Sequence, residues 1–150
     1  MDLRPLTDND YPLLRELEEQ EDVWESVGAL PAPDAGNDQR LFVILDRGTP
    51  LGIGGLVRSP VLEGKDFEVL CALRSEAQLQ GYATRACERL MTWAFDTAKL
   101  ERVIACIDDA NTGARAIATK LGMTPLGPIP PGRTVYVKYR GAASAKDAAG

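Results

Sequence analysis

The 150-residue chain contains no histidine. That absence removes the commonest general base and the commonest metal ligand together, and with them every Cys-His or Ser-His-Asp arrangement. Acid–base chemistry is left to carboxylates, tyrosine, cysteine, amines or water. Cysteine is scarce as well: Cys71, Cys87 and Cys106 are an odd number, far apart, and each lies inside an apolar stretch. Without a C-x₂-C spacing they read as buried free thiols, and no metal site is expected. Long apolar runs are also missing, since nothing approaches the roughly 18 consecutive apolar residues of a membrane span. Positive charge is in deficit, with 17 Lys+Arg against 22 Asp+Glu and a pI near 4.8. A surface of that sign lacks the basic field that draws nucleic acid or an anionic membrane, so neither is expected as a partner. Met1-Asp2-Leu3-Arg4 does not open a signal peptide, and the expected location is the cytoplasm.

What is present suits one globular domain. The chain is 45% hydrophobic and 26% charged, and its length falls in the roughly 100–150-residue range where single domains cluster. Residues 1–140 are expected to form that domain. The last ten, Gly141 to Gly150, carry no large apolar side chain and are expected to be disordered.

The periodicity changes along the chain. Leu3 to Leu6 reads as a short strand, and Thr7-Asp8-Asn9-Asp10 offers helix caps ahead of Leu13, Leu14 and Leu17 on one helical face. A second short helical piece holds Val23, Trp24 and Val27 and ends at Gly28. The run from Pro31 to Asp38 is turn-forming throughout and reads as a surface loop. Leu41–Leu45 and Leu51–Val57 flank an Asp-Arg-Gly-Thr-Pro turn as a hairpin, and Phe67–Leu73 is a further strand. Ala83, Ala86, Cys87, Leu90, Met91 and Ala94 recur at helical spacing from Gly81 to Ala98. Val103–Ile107 reads as a buried strand and Asn111–Leu121 as a helix stopped by Gly122. Val135–Tyr139 closes the chain as a strand, after a Pro/Gly-rich passage from Thr124 to Gly132. The order predicts an α/β (α+β) layered fold with a mixed sheet.

The junction Gln78-Leu79-Gln80-Gly81-Tyr82-Ala83-Thr84 joins a strand to the long helix. Gly81 lacks the Cβ that would keep an anion from the backbone, and free N–H groups backed by the helix dipole suit a phosphate or pyrophosphate. Neither a P-loop nor a G-x-G-x-x-G pattern occurs, which removes support for nucleotide hydrolysis and Rossmann dehydrogenation.

The segment Glu68 to Ala83 resembles, without a gap, the central motif of the GNAT acetyltransferase superfamily. Its signature, Gln or Arg, then Gly three residues later and Gly or Ala two after that, is met by Gln78, Gly81 and Ala83. Asp109 to Met123 looks like the second motif of that superfamily, an Asn opening a helix that ends in Lys-Leu-Gly-Met. The opening Leu3 to Thr7, with Asp10 and Trp24, is similar to the branch that acetylates protein N-termini, including those of ribosomal proteins. The resemblance implies a mostly antiparallel central sheet of six to seven strands flanked by about four helices, with a splayed central strand pair. It implies acetyl-CoA as co-substrate and a primary amine, on a peptide or a small molecule, as acceptor, with a homodimer left open.

Residue by residue, the resemblance places Cys71, Ala72 and Leu73 where backbone groups pair with pantetheine. Leu79, Gln80, Gly81, Tyr82, Ala83 and Thr84 fall where amides hold the pyrophosphate, behind Gln78 of the motif. Asn111 matches a residue that helps to hold the coenzyme, and it also suits a helix N-cap. Glu68, at the head of its strand, is the expected catalytic base, with a plain solvated edge carboxylate as the other reading. The tyrosine or serine that many relatives use to protonate the thiolate is replaced by Ala118, and the usual Ser after the Asn is Ala114. Tyr82, Tyr136, Tyr139 or solvent would then donate the proton. The same substitutions favour the alternative of a catalytically weak acyl-CoA-binding sensor.

Overall fold

The computed structural model describes residues 1–20 and 39–141, and these form a seven-stranded sheet with three α-helices. In chain order they are β1 (Asp2–Pro5), α1 (Tyr11–Glu19), β2 (Gln39–Asp46), β3 (Thr49–Arg58), β4 (Phe67–Leu73), α2 (Tyr82–Asp96), β5 (Arg102–Asp108), α3 (Thr112–Lys120), β6 (Thr124–Ile129) and β7 (Arg133–Tyr139). The helical piece expected at Val23 to Gly28, the loop from Pro31 to Asp38 and the tail after Gly141 lie outside the described residues. Of the one or two closing strands the sequence allowed, both form: the Pro/Gly-rich passage from Thr124 is edge strand β6, antiparallel to β7. Its Pro125 and Pro128 lack donors, which an edge position tolerates.

The sheet order is β1-β2-β3-β4-β5-β7-β6, and every neighbouring pair is antiparallel except β4 and β5. Alternation along the strands divides the core between two faces. On one face Leu13, Leu14 and Leu17 of α1 pack on Val43, Ile53 and Ala72. On the other, α2 and α3 lay Cys87, Met91, Ala94, Phe95, Ala118 and Leu121 over Val103, Ala105 and Ile107. Leu90, fully buried on α2, anchors that layer, and Leu90→Ala there costs about 2–5 kcal/mol.

One stretch of the sheet departs from regular pairing. The β3–β4 ladder runs unbroken from Gly52–Leu73 to Arg58–Phe67, whereas β4 and β5 pair at Glu68–Ile104 alone. Beyond that pair the two parallel strands diverge toward their C-terminal ends. Glycine keeps β4 close to β3 there: a Cβ on Gly52 would overlap the Ala72 carbonyl oxygen. β4 is therefore drawn to one neighbour and released from the other. It is the middle strand of seven, yet Phe67 to Cys71 are all only half-buried, the signature of a cleft cut into the sheet centre.

Candidate active site

The cleft opens toward the N-terminus of α2. Gly81, at φ +83°, caps that helix in a left-handed conformation, and an added Cβ would meet nothing within 4 Å. The backbone before it is also unusual, with Leu79 at φ +61° and its side chain fully exposed. Left-handed residues on either side of Gln80 turn successive N–H groups to one side, which suits an anion. No acidic residue lies in the first turn of α2, so nothing there offsets the positive end of its dipole. The open space at Gly81 and these unpaired amides fit the pyrophosphate of a coenzyme.

The loop leading into α2 is fastened from several sides. Gln78 Nε2 donates to the Leu73 carbonyl at 3.1 Å, and Gln80 Nε2 donates to the Glu76 carbonyl at 2.7 Å. From α1, Glu16 pairs with Arg74 at 2.6 Å and Gln20 Oε1 accepts the Ser75 N–H at 2.9 Å. Gln78 thus ties the end of β4 to the loop. Half-buried Ala83 and Thr84 continue the first turn. Tyr82 points elsewhere: its hydroxyl donates to Asp46 at 2.8 Å, and Arg85 covers its ring at 4.7 Å. The Asp46 carboxylate, by accepting that bond, holds the phenol above its ordinary pKa.

Cys71, Ala72 and Leu73 line the widening part of the gap. The Cys71 thiol is pushed up by its hydrogen bond with Cys87 and then by burial. Asn111 caps α3, its Oδ1 accepting the Ala114 N–H at 3.1 Å. That is the structural half of the two roles the sequence left open.

Glu68 lies at the closed end, paired with Ile104, and on the sheet face that α1 covers, because it is four residues from Ala72 along an alternating strand. Its Oε1 accepts the Cys106 N–H at 3.2 Å. Below it, Arg102 grips Asp66 through Nε at 2.6 Å and Nη2 at 2.9 Å, and Arg102 also donates to the Tyr139 hydroxyl at 3.5 Å. Two residues near Glu68 escaped sequence reasoning: Ser59 is buried at 1% exposure, and Arg133 donates to the Cys106 carbonyl at 3.3 Å. Cys106, expected as a buried thiol, is half-buried, not enclosed. Ser59-Pro60 reads as an ordinary strand exit, so no local signal marks it. Cys71 is likewise only half-buried, and the expectation of three enclosed thiols holds for Cys87 alone. The cause is the cleft, whose walls carry the other two.

The family model described as the acetyltransferase (GNAT) domain matches residues 1–124. The chain belongs to the GNAT acetyltransferase family. Solved structures with the same fold agree. An acetyltransferase from Agrobacterium tumefaciens superposes with a TM-score of 0.75 at 23% identity, covering 91% of this chain and 89% of that one. The spermidine N-acetyltransferase of Vibrio cholerae in complex with CoA and spermine gives 0.75 at 16% identity over 93% of this chain and 95% of that one. The ribosomal-protein-S5-alanine acetyltransferase of Vibrio fischeri gives 0.73 at 16% over 93% and 92%. No curated protein matches the sequence. The seven-stranded, mostly antiparallel sheet with its splayed centre is the fold expected of a GNAT acetyltransferase. No helix among the described residues is long and apolar enough to cross a membrane, and none of their side chains cluster as a metal site.

Proposed function

We propose that this GNAT domain, residues 1–140, transfers acetyl from acetyl-CoA to a primary amine, a peptide N-terminus or a small-molecule amine, by direct attack on the thioester. The observation that carries the reading is the β4–β5 gap, closed at Glu68–Ile104 and open toward the bare N-terminus of α2. When bound, acetyl-CoA supplies an acyl group activated as a thioester, whose C–S bond is exchanged for a C–N bond to the amine. The amides from Leu79 to Thr84 hold the pyrophosphate, and Asn111 steadies the coenzyme from the cap of α3. The edge of β4 at Cys71, Ala72 and Leu73 aligns the pantetheine arm. Glu68, on the α1 side, takes the proton that the amine must lose, directly or through water; general-base catalysis of this kind contributes about 10²–10⁴-fold. Positioning supplies much of the remainder.

Direct transfer is favoured over a cysteine acyl-enzyme by the state of the thiols in the cleft. Cys71 is held up by Cys87 and burial, and Cys106 is pushed up to about 12, chiefly by burial. Neither is a thiolate at neutral pH, and the thiolate is the nucleophile. The leaving thiolate collects its proton from Tyr136 or solvent. Tyr82 is committed to Asp46 and Tyr139 accepts from Arg102, whereas Tyr136 shares the helix-side core with Ala118.

The second reading, a coenzyme-binding sensor, is favoured by Ala118, which is buried and offers no proton. Thiol release measured against a panel of peptide and polyamine acceptors separates them. The enzyme reading expects turnover that Glu68→Gln lowers about 100-fold with coenzyme affinity retained. Tight coenzyme binding without turnover on any acceptor establishes the sensor instead.

A further inference from the structure

We propose that the acceptor is an amine bearing a carboxylate close to its nitrogen, a free amino acid or a peptide with an acidic first residue, and that Arg133 is the residue that selects it. The proposal rests on the reading of Glu68 as base and of the β4–β5 gap as the place of transfer, and it names the acceptor class of that same site.

Glu68 and Arg133 approach the gap from opposite sides and bond to the same residue of β5. Glu68 Oε1, from β4, accepts the Cys106 N–H at 3.2 Å, and Arg133 Nη2, from β7, donates to the Cys106 carbonyl at 3.3 Å. In a strand the N–H and C=O of one residue point toward the same neighbour, so both bonds lie on the edge of β5 from which β4 diverges. Arg133 starts on the other side of β5, opposite Asp108 in the β5–β7 ladder, and reaches across the strand to that edge. It does so on the face that carries Glu68. Glu68 is paired with Ile104, Ile104 packs with Val135 and Val137, and alternation along β7 puts Arg133 on the same side. A carboxylate and a guanidinium therefore stand side by side at the gap, on neighbouring polar atoms of one residue, without forming an ion pair.

The other charges nearby are already bonded. Asp66 and Arg102 hold each other at 2.6 Å. Asp108, across the ladder from Arg133, turns its Oδ1 to the Ala110 N–H at 2.9 Å, and Asp109 accepts the Thr134 hydroxyl at 2.6 Å. Arg133 is exposed and has no carboxylate partner among the described residues, and its Nε and Nη1 carry no hydrogen bond there. A lone guanidinium beside the base repels a polycationic acceptor and suits an anionic one. Its planar fork takes a carboxylate with two bonds, while Glu68 takes the amine. The two groups of the acceptor must be close together, as in an α-amino acid, because their partners sit on neighbouring atoms of Cys106. As the C–N bond forms and the thioester C–S bond breaks, an ammonium acceptor loses two protons: one leaves through Glu68 to solvent, and the other ends on the sulfur of CoA. Arg133 handles neither. It fixes where the nitrogen sits.

The test is thiol release from acetyl-CoA with free L-amino acids, the same amino acids as α-amides, peptides beginning with aspartate or asparagine, and spermidine. The unaltered protein is expected to prefer a carboxylate-bearing acceptor to its uncharged amide by about 30-fold in kcat/KM, the size of one charge-assisted contact, and to use spermidine least. Arg133→Ala is expected to abolish that preference, chiefly through KM for the acceptor, with coenzyme affinity unchanged. The acid-to-amide ratio is the decisive readout, because a variant that merely loosens the fold slows both acceptors alike. Arg133→Lys keeps the charge without the fork and is expected to recover part of the ratio. Preference for the free amino acids or for the aspartate peptide names the source of the carboxylate, and either supports the proposal. A ratio unchanged in Arg133→Ala, or an unaltered protein that prefers spermidine or the amides, overturns the acceptor class and leaves the enzyme reading standing. Turnover of no acceptor overturns both.

Discussion

The two ends of the β4–β5 gap are built from opposite materials. The closed end is fastened by side chains: Arg102 on Asp66 with two bonds, and Glu68 on the Cys106 amide. The open end is made of backbone, with Gly81 and Leu79 in left-handed conformations and no acidic side chain in the first turn of α2. Side-chain pairs set the angle at which the strands part, and bare amides are left where they part most. A site for a long, anionic ligand follows from that division. Charge-assisted bonds hold the hinge, while the mouth keeps donors free for a group that the protein does not itself contain.

The largest expected effect comes from the open end. Gly81→Glu places a carboxylate in the space a phosphate would fill and forces a side-chain-bearing residue to φ +83°. The conformation alone costs about 1–2 kcal/mol, and the charge opposes an anion directly. Coenzyme affinity by calorimetry is expected to fall more than about 100-fold, the equivalent of about 2.8 kcal/mol, with far-ultraviolet circular dichroism retained. Unchanged affinity would show that the pyrophosphate lies elsewhere.

A smaller and different effect is expected at the closed end. Asp66 is buried, with its carboxylate shared between two guanidinium bonds. Removing it in Asp66→Ala leaves Arg102 without that partner and should destabilise the fold by about 2 kcal/mol, read as a lowered denaturant midpoint at constant m-value. The comparison is sharpened if this variant also weakens coenzyme binding, since that would show the hinge setting the width of the mouth. Loss of stability with unaltered affinity would make the clamp a fastening only.

Much of the open end was legible in the sequence, and little of the closed end was. Gly81 and Ala83 stand in a local pattern whose physical demand, a backbone free of side chains at a helix start, is written in consecutive residues. The strands β4 and β5 were also local, and their limits came within a residue or two of expectation. The clamp joins Asp66 to Arg102, 36 residues apart, and only the pairing of β4 with β5 brings them together. No periodicity predicts such contacts, because each partner is an ordinary residue in its own segment. The segment Thr124 to Ile129, where the sequence left one or two closing strands open, shows the converse: its prolines argue against a strand locally, and an edge position makes them harmless.

The smallest expected effect separates the mouth from its surroundings. Tyr82 opens α2 beside the amides, yet its hydroxyl is bonded to Asp46 and its ring lies under Arg85. That geometry turns it away from proton transfer, so Tyr82→Phe should leave kcat and its pH profile unchanged. The stability consequence has a definite sign. Since Asp46 holds the phenol above its ordinary value, the bond stabilises the fold below the unfolded phenol's pKa near 10 and is lost as pH rises through the folded value. The midpoint difference between Tyr82→Phe and the unaltered chain should therefore be constant through neutral pH and shrink above about pH 10. A kcat that falls tenfold or more in Tyr82→Phe would instead place this hydroxyl at the leaving thiolate and move the proton donor from the helix-side core to the mouth of the cleft.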